Sequence, residues 1–561
     1  MRSQLAAALD RLKARFEPGG ALRKERLLRR LAQAPVNDAA TLIRLHEALL
    51  FLLAYPQSAR VAQLAARELR RIEQRVASLR SRGADLSAFE EPEVSGIAGT
   101  GLSALFSYPV ARRLCRAYPA RVSIDWEGCQ KPARLGLTLP RLIPLLEDDV
   151  LVEAHPPYLA WLGAASGRRT LRWLILGLEG LAMGEAEKAA LYDSLELYLR
   201  WDLSGSPASR TSARLQTRRV FYHRRPLIHR ADVSLENEFA GPRIPVRKVS
   251  VREAEKLIGL ACETSAARYR ELHGFTYGDP RQVLEAELGR GVRVFVCGVP
   301  PAHRLPVRAY HAGMFFKNGV PAGYVEGLSL AERMEIGFNL YYTFREGETA
   351  WIYARLLALF HQLLGVKCFV VDPYQIGQDN EEAIESGAFW FYRKLGFRPV
   401  LPDVLRLAEA EQQKAAARPG YRTPARTLRK LAASRMVWEA PGAERGAWDW
   451  FEARNLGMAV ARRIRVRYGG SVEAARQAAW RRLAKAVGTP DAGDLALVLD
   501  LIPDLESWSA WEKRLCGEWL RAKQAAGETA YLHALARHGR LRRALIKFGS
   551  LAASLPEDGG Q

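Results

Sequence analysis

From Ser3 to Leu79 apolar residues return every three or four positions. Leu5, Leu9, Leu12 and Phe16 share one face, Leu27, Leu28 and Leu31 a second, and Leu42, Leu45, Leu49 and Leu52 a third. Ala62 to Leu79 follows with Arg67, Arg70, Arg71 and Arg75 on its polar side. This spacing predicts a succession of amphipathic helices, stopped at Glu17-Pro18-Gly19-Gly20 and near Pro56. After the acidic break Glu90-Glu91-Pro92-Glu93 the texture changes. The Gly-rich stretch Ser95 to Ser103 precedes a helix carrying Val110 and Leu114, Val122 to Glu127 reads as a strand, and Ala186 to Leu199 reads as a helix.

The centre of the chain alternates strand and helix signals. Val246-Arg247-Lys248-Val249 predicts a strand and Val251 to Leu272 a helical stretch. Val292 to Val299 and Ala309 to Phe316 predict further strands, the second turning at Asn318-Gly319 into a strand from Val320. Met334 to Tyr342 follows, then a Gly-containing turn from Thr343 to Ala350. A helix with Trp351, Ile352, Leu356, Leu359, Phe360 and Leu363 comes next, closed by Gly365, and then the short strand Cys368 to Val371. About six strands with helices on both faces give an α/β (α+β) fold with a mixed sheet. Helical spacing returns from Thr427 to Phe548, interrupted by Pro and Gly, and residues Leu555 to Gln561 read as a frayed end. The expected units are residues 1–90 (helical), 91–235 (mixed, mostly helical), 236–405 (the sheet domain) and 406–561 (helical).

The central order, and above all Phe391-Tyr392-Arg393-Lys394-Leu395-Gly396-Phe397, resembles the GNAT superfamily of N-acetyltransferases. The resemblance covers about a third of the chain at most. It implies a parallel pair formed by the Met334 and Lys367 strands, with acyl-coenzyme A bound at the turn between the first of these and the next helix. Free N–H groups at a helix start suit an anionic diphosphate. The resemblance therefore implies cofactor contacts from Arg345, Gly347, Glu348 and Thr349, and from Asn380 to the pantetheine arm. Tyr392 is the implied acid for the leaving thiolate, with Glu335 or Asp372 as base for an unknown amine acceptor. The turn departs from the family pattern: Phe344 stands where a Gln or Arg is usual, and extra residues separate Asn380-Glu381-Glu382-Ala383 from Phe391-Tyr392. These departures keep open the alternative of a catalytically inactive, GNAT-like binding protein.

With 561 residues the chain exceeds one ordinary core, and no apolar run is long enough to span a bilayer. Met1-Arg2-Ser3-Gln4-Leu5 leads straight into an amphipathic pattern, which predicts no signal peptide and a cytoplasmic protein. Six cysteines without a Cys-x-x-Cys pair predict neither structural zinc nor a disulfide framework, and no metal is expected. The net charge of +22 attracts nucleic acid, lipid headgroups or an anionic cofactor, although arginine bias alone also produces such a balance. Its densest point is Arg218 to Arg230, where arginines interleave with Phe221, Tyr222, His223 and His229. That pattern suits single-stranded nucleic acid or another polyanion. The competing reading is an interdomain strand whose arginines pair with acidic loops. The Ser95–Ser103 stretch has two readings as well: a phosphate loop, or a connector and helix cap, favoured by the absence of a Lys-Ser/Thr end.

Overall fold

The computed structural model of the protein describes residues 2–34, 36–129, 131–488, 492–525 and 527–550; the expected frayed end, Leu555 to Gln561, lies outside them. Three short strands, β1 (Gly101–Leu105), β2 (Val122–Ile124) and β3 (Tyr198–Asp202), make an antiparallel sheet in the order β1-β3-β2. The larger sheet uses β4 (Val246–Lys248), β5 (Val283–Gly289), β6 (Val292–Cys297), β7 (Ala309–Lys317), β8 (Val320–Leu330) and β9 (Arg333–Leu340). It is completed by β10 (Cys368–Val371), β11 (Arg398–Pro399) and β12 (Met436–Glu439), in the order β11-β12-β10-β9-β8-β7-β6-β5-β4.

Local chemistry fixes the register of this sheet. Asn318 and Gly319 both take positive φ, 47° and 78°, as a two-residue primed turn requires, and Lys317 pairs with Val320 across it. The β4-to-β9 strands are antiparallel neighbours. The helix Thr349–Leu364 then crosses over, so β10 returns parallel to β9, with Phe369 opposite Met334. Gly365, at φ 71°, ends that helix in the left-handed conformation.

Alternation along the strands divides the core in two. Tyr310, Ala312, Met314 and Phe316 of β7 face one apolar cluster, which includes the helices Tyr108–Ala117 and Val251–Ala266. Ala309 and Phe315 face the other, which runs from Ala6 to Leu545. The terminal helical regions thus share one core with the helix Thr349–Leu364, most of which is buried.

The structure revises several sequence expectations. The large sheet has nine strands rather than about six: β5, β11 and β12 were not expected, and β12 comes from the region expected to be purely helical. The helix expected to Leu199 is Glu185–Ser194; Leu199 lies in β3, where Leu199 and Trp201 point inward and their neighbours outward. Arg218 to Arg230 is irregular, not a strand, apart from the short turn Arg230–Asp232. No described helix is long and apolar enough to cross a membrane.

Candidate functional site: a filled strand divergence beneath a basic strap

β9 and β10 pair over three residues only, the last being Glu335 opposite Val370, after which β9 continues to Leu340 paired with β8 on one edge and with no strand on the other. A strand edge left unpaired must bond its backbone groups elsewhere. Here the Gln375 side chain does this: its amide N–H donates to the Ile336 carbonyl (2.7 Å) and its oxygen accepts from the Phe338 N–H (3.2 Å). The Tyr392 hydroxyl donates to the same Gln375 oxygen at 3.4 Å, and burial raises the phenol pKa well above its ordinary value. Tyr392 therefore faces the divergence as a buried, protonated phenol.

The other residues implied by the resemblance are distributed around this point. Asp372 caps a short helix by accepting from the Tyr374 N–H at 2.9 Å. Asn380 caps the next, accepting from Ala383 N–H at 3.2 Å and donating to the Tyr374 carbonyl at 3.1 Å. Glu335 lies between Arg333 (3.6 Å) and Arg308 (3.7 Å).

At the turn itself Arg345 is exposed and ion-paired with Glu382, and the Thr349 hydroxyl donates to the Arg345 carbonyl at 3.3 Å. The Gly347 N–H donates to the Phe344 carbonyl (2.8 Å) and the Glu348 N–H to the Tyr55 hydroxyl (3.2 Å). Tyr55 lies so close that a Cβ on Gly347 would collide with its hydroxyl. The Glu348 carboxylate is buried at the start of the helix. It accepts from Lys317 Nζ at 2.9 Å, from Arg290 Nε at 2.8 Å and from the Ile228 N–H at 3.2 Å. Burial pushes this carboxyl up, but Lys317 and Arg290, aided by His223, more than offset that and hold it below its usual range. Burial likewise pulls Lys317 down to about 8 against the opposing pull of Glu348. The positive end of the helix thus has a carboxylate of the chain's own beside it.

A second brace holds the turn from behind. Glu47 accepts from Arg210 Nη2 at 2.9 Å on both oxygens, lies 3.0 Å from His46 Nδ1, and accepts from the Thr343 hydroxyl. The Arg210 N–H donates to the Gly96 carbonyl at 2.7 Å. Gly96 has φ 92° and a Cβ there would collide with the Ala267 carbonyl, so the Gly-rich stretch is a packed connector.

The strap from Arg218 to Arg230 crosses this assembly. Phe221 donates its N–H to Asn318 Oδ1 (2.8 Å) and accepts from Asn318 Nδ2 (3.0 Å), and the His223 N–H donates to the Pro56 carbonyl (2.8 Å). The His223 ring sits among Phe16, Tyr55 and Phe221, at 5.5, 5.1 and 4.8 Å. With the aromatic and apolar side held inward, Arg218, Arg219, Arg224 and Arg225 are exposed. None of them makes a hydrogen bond or ion pair among the described residues. Arg218 acts on the Glu253 carboxylate from beyond ion-pair distance, and the expected pairing with acidic loops is not seen for the other three among the described residues.

On the opposite sheet face stands a group that the motif reading missed. Glu326 of β8 accepts from the Tyr310 hydroxyl, which itself accepts from the Gly274 N–H at 3.1 Å, and the His273 ring lies 5.2 Å from that of Tyr310. Burial raises the Glu326 carboxyl above its usual range against the pull of Tyr310 and His273. Its cross-strand neighbour is Gly337, which leaves the carboxylate uncovered on that side. The signal available in the sequence was a carboxylate set at an alternating position inside the apolar run Tyr324 to Leu328. Tyr55, Arg290 and Lys317 carry no such signal, since each reaches the turn from a distant segment.

No family model, no curated protein and no solved structure matches this chain.

Proposed function

We propose that the chain is a binding protein for a polyanion of the single-stranded nucleic acid class. In this reading its central sheet is a transferase-like scaffold whose cofactor cleft is filled by its own side chains. The observation that carries the reading is the strap: four exposed arginines that make no hydrogen bond or close ion pair among the described residues, on a segment whose backbone and aromatic side are pinned at Pro56, Asn318 and Glu348. An ordered backbone lowers the entropic cost of presenting these cations together. Tyr222, half-buried between Arg219 and Arg224, offers a ring on which a base can stack.

The test is the salt dependence of binding to a fluorescent single-stranded oligonucleotide. Replacing Arg218, Arg219, Arg224 and Arg225 by Ala should lower the slope of log K against log[salt] by about 3, at roughly 0.7 per single-strand phosphate contact. An unchanged slope would remove the strap from the interface. Heparin in place of the oligonucleotide separates charge alone from base stacking, because only the oligonucleotide should lose further affinity with Tyr222→Ala.

A second reading, N-acyl transfer from acyl-coenzyme A to an amine, draws support from the diverging parallel strands. The two hydrogen bonds that Gln375 makes to Ile336 and Phe338 are those an amide-bearing cofactor arm would make in its place. In that reading Glu326, whose carboxyl burial raises above its usual range, is a better-placed base than the ion-paired Glu335. Calorimetry with acetyl-coenzyme A and free coenzyme A decides between the two: no heat of binding is expected from the wild-type protein. Saturable binding that Gly347→Pro abolishes would favour the transferase instead.

A further inference from the structure

The geometry points to a second copy of this chain as the occupant of the apolar face around the helix Tyr158–Ser166, paired across a two-fold axis with the two helices antiparallel. Three observations carry this. First, the helix has no charged residue, yet of its side chains only Leu162 is fully buried. Leu151 and Val152, 79% and 83% exposed, and Leu145, 72% exposed, belong to the short helix Leu146–Val152 and its N-cap, which come shortly before it in the chain. Leu137 and Leu176, also exposed, lie on segments packed against the helix Tyr158–Ser166. A patch of this kind marks an interaction surface rather than ordinary scatter.

Second, the patch is ordered. Gly136 has no side chain, and the Tyr158 ring lies directly on its backbone, fixing the start of the helix. Third, charge is segregated to its two ends. Glu147, Asp148, Asp149 and Glu153 precede the uncharged run Ala154 to Gly167, and Arg168, Arg169 and Arg172 follow it. None of these seven side chains makes an ion pair or hydrogen bond among the described residues. The helix between them is about 13 Å long. Antiparallel apposition sets the acidic end of one copy against the basic end of the other, twice, by symmetry. An anionic membrane would meet the four carboxylates with repulsion, and a uniformly charged partner would match only one end.

The test is sedimentation of the full chain over a concentration series. The wild-type protein should pass from monomer to dimer, and Leu159→Glu should weaken association by about tenfold or more. The charge arrangement is tested with two charge-reversed variants, R168E/R169E/R172E and E147R/D148R/D149R/E153R. Each alone places like charges opposite each other and should remain monomeric, while an equimolar mixture should dimerise, since every end then meets its opposite. Wild-type protein that stays monomeric throughout, or a mixture no more associated than its components, overturns the proposal. Flotation of a monomeric protein with anionic vesicles would assign the patch to lipid and overturn it equally.

Discussion

Glu348→Gln is expected to destabilise the protein by about 3–5 kcal/mol, read as a lower urea midpoint. Lys317 is fully buried and, among the described residues, Glu348 is its only anionic partner within ion-pair distance, so the substitution leaves an ammonium with no compensating charge. The loss reaches further than this pair. The same carboxylate accepts from Arg290 and from the Ile228 N–H, so the strap and the β5–β6 connection both lose a contact. A double variant, Glu348→Gln with Lys317→Met, should recover much of the loss, because an apolar side chain of similar length needs no counter-charge. If the single variant matched the wild-type midpoint, the carboxylate would not be what holds the turn.

Acidification should loosen the brace behind the turn. The Arg210 guanidinium is the strongest of the influences opposing burial at Glu47, with the His46 and Thr343 hydrogen bonds behind it; together they bring the carboxyl from 4.5 down to about 2. A carboxyl depressed in the folded state contributes stability that is fully present above its unfolded value. That contribution is lost as pH falls through the folded one. The window is therefore from about pH 4.5 down to about 2, and the contribution is about 3 kcal/mol at neutral pH. Urea midpoints measured across that window should fall more steeply for the wild-type protein than for Glu47→Gln, which has nothing to protonate there. Parallel slopes would place the acid sensitivity elsewhere.

Much of the central architecture was legible because its signals are local. Asn318-Gly319 forces a tight turn whatever surrounds it, and Gly365 ends a helix through its own φ. The elements that escaped depend on distant partners. β12 is a strand because β10 and β11 border it on its two sides, and Met436 to Glu439 alone has little to distinguish it from its helical neighbours. Tyr198 to Asp202 continues a helical pattern without a Pro or Gly, and its pairing with β1 and β2 overrides that pattern. The candidate site followed the same rule. The turn was located from sequence, but its occupation by Tyr55, Arg290 and Lys317 was not, because these residues come from three other parts of the chain.

The amide of Asn318 binds more than its own hairpin. Its donor group reaches the Ala54 carbonyl at 2.8 Å as well as Phe221, and its backbone N–H reaches the Gly291 carbonyl at 2.7 Å in the preceding hairpin. One residue at a sheet tip therefore joins two hairpins, the strap and the end of an N-terminal helix. These segments cannot fray one at a time without breaking the same side chain's bonds, so they open together as a single cooperative unit. Arg218 and Arg219, next to Phe221, share in that unit, while Arg224 and Arg225 are held as well by the anchors at Pro56 and Glu348.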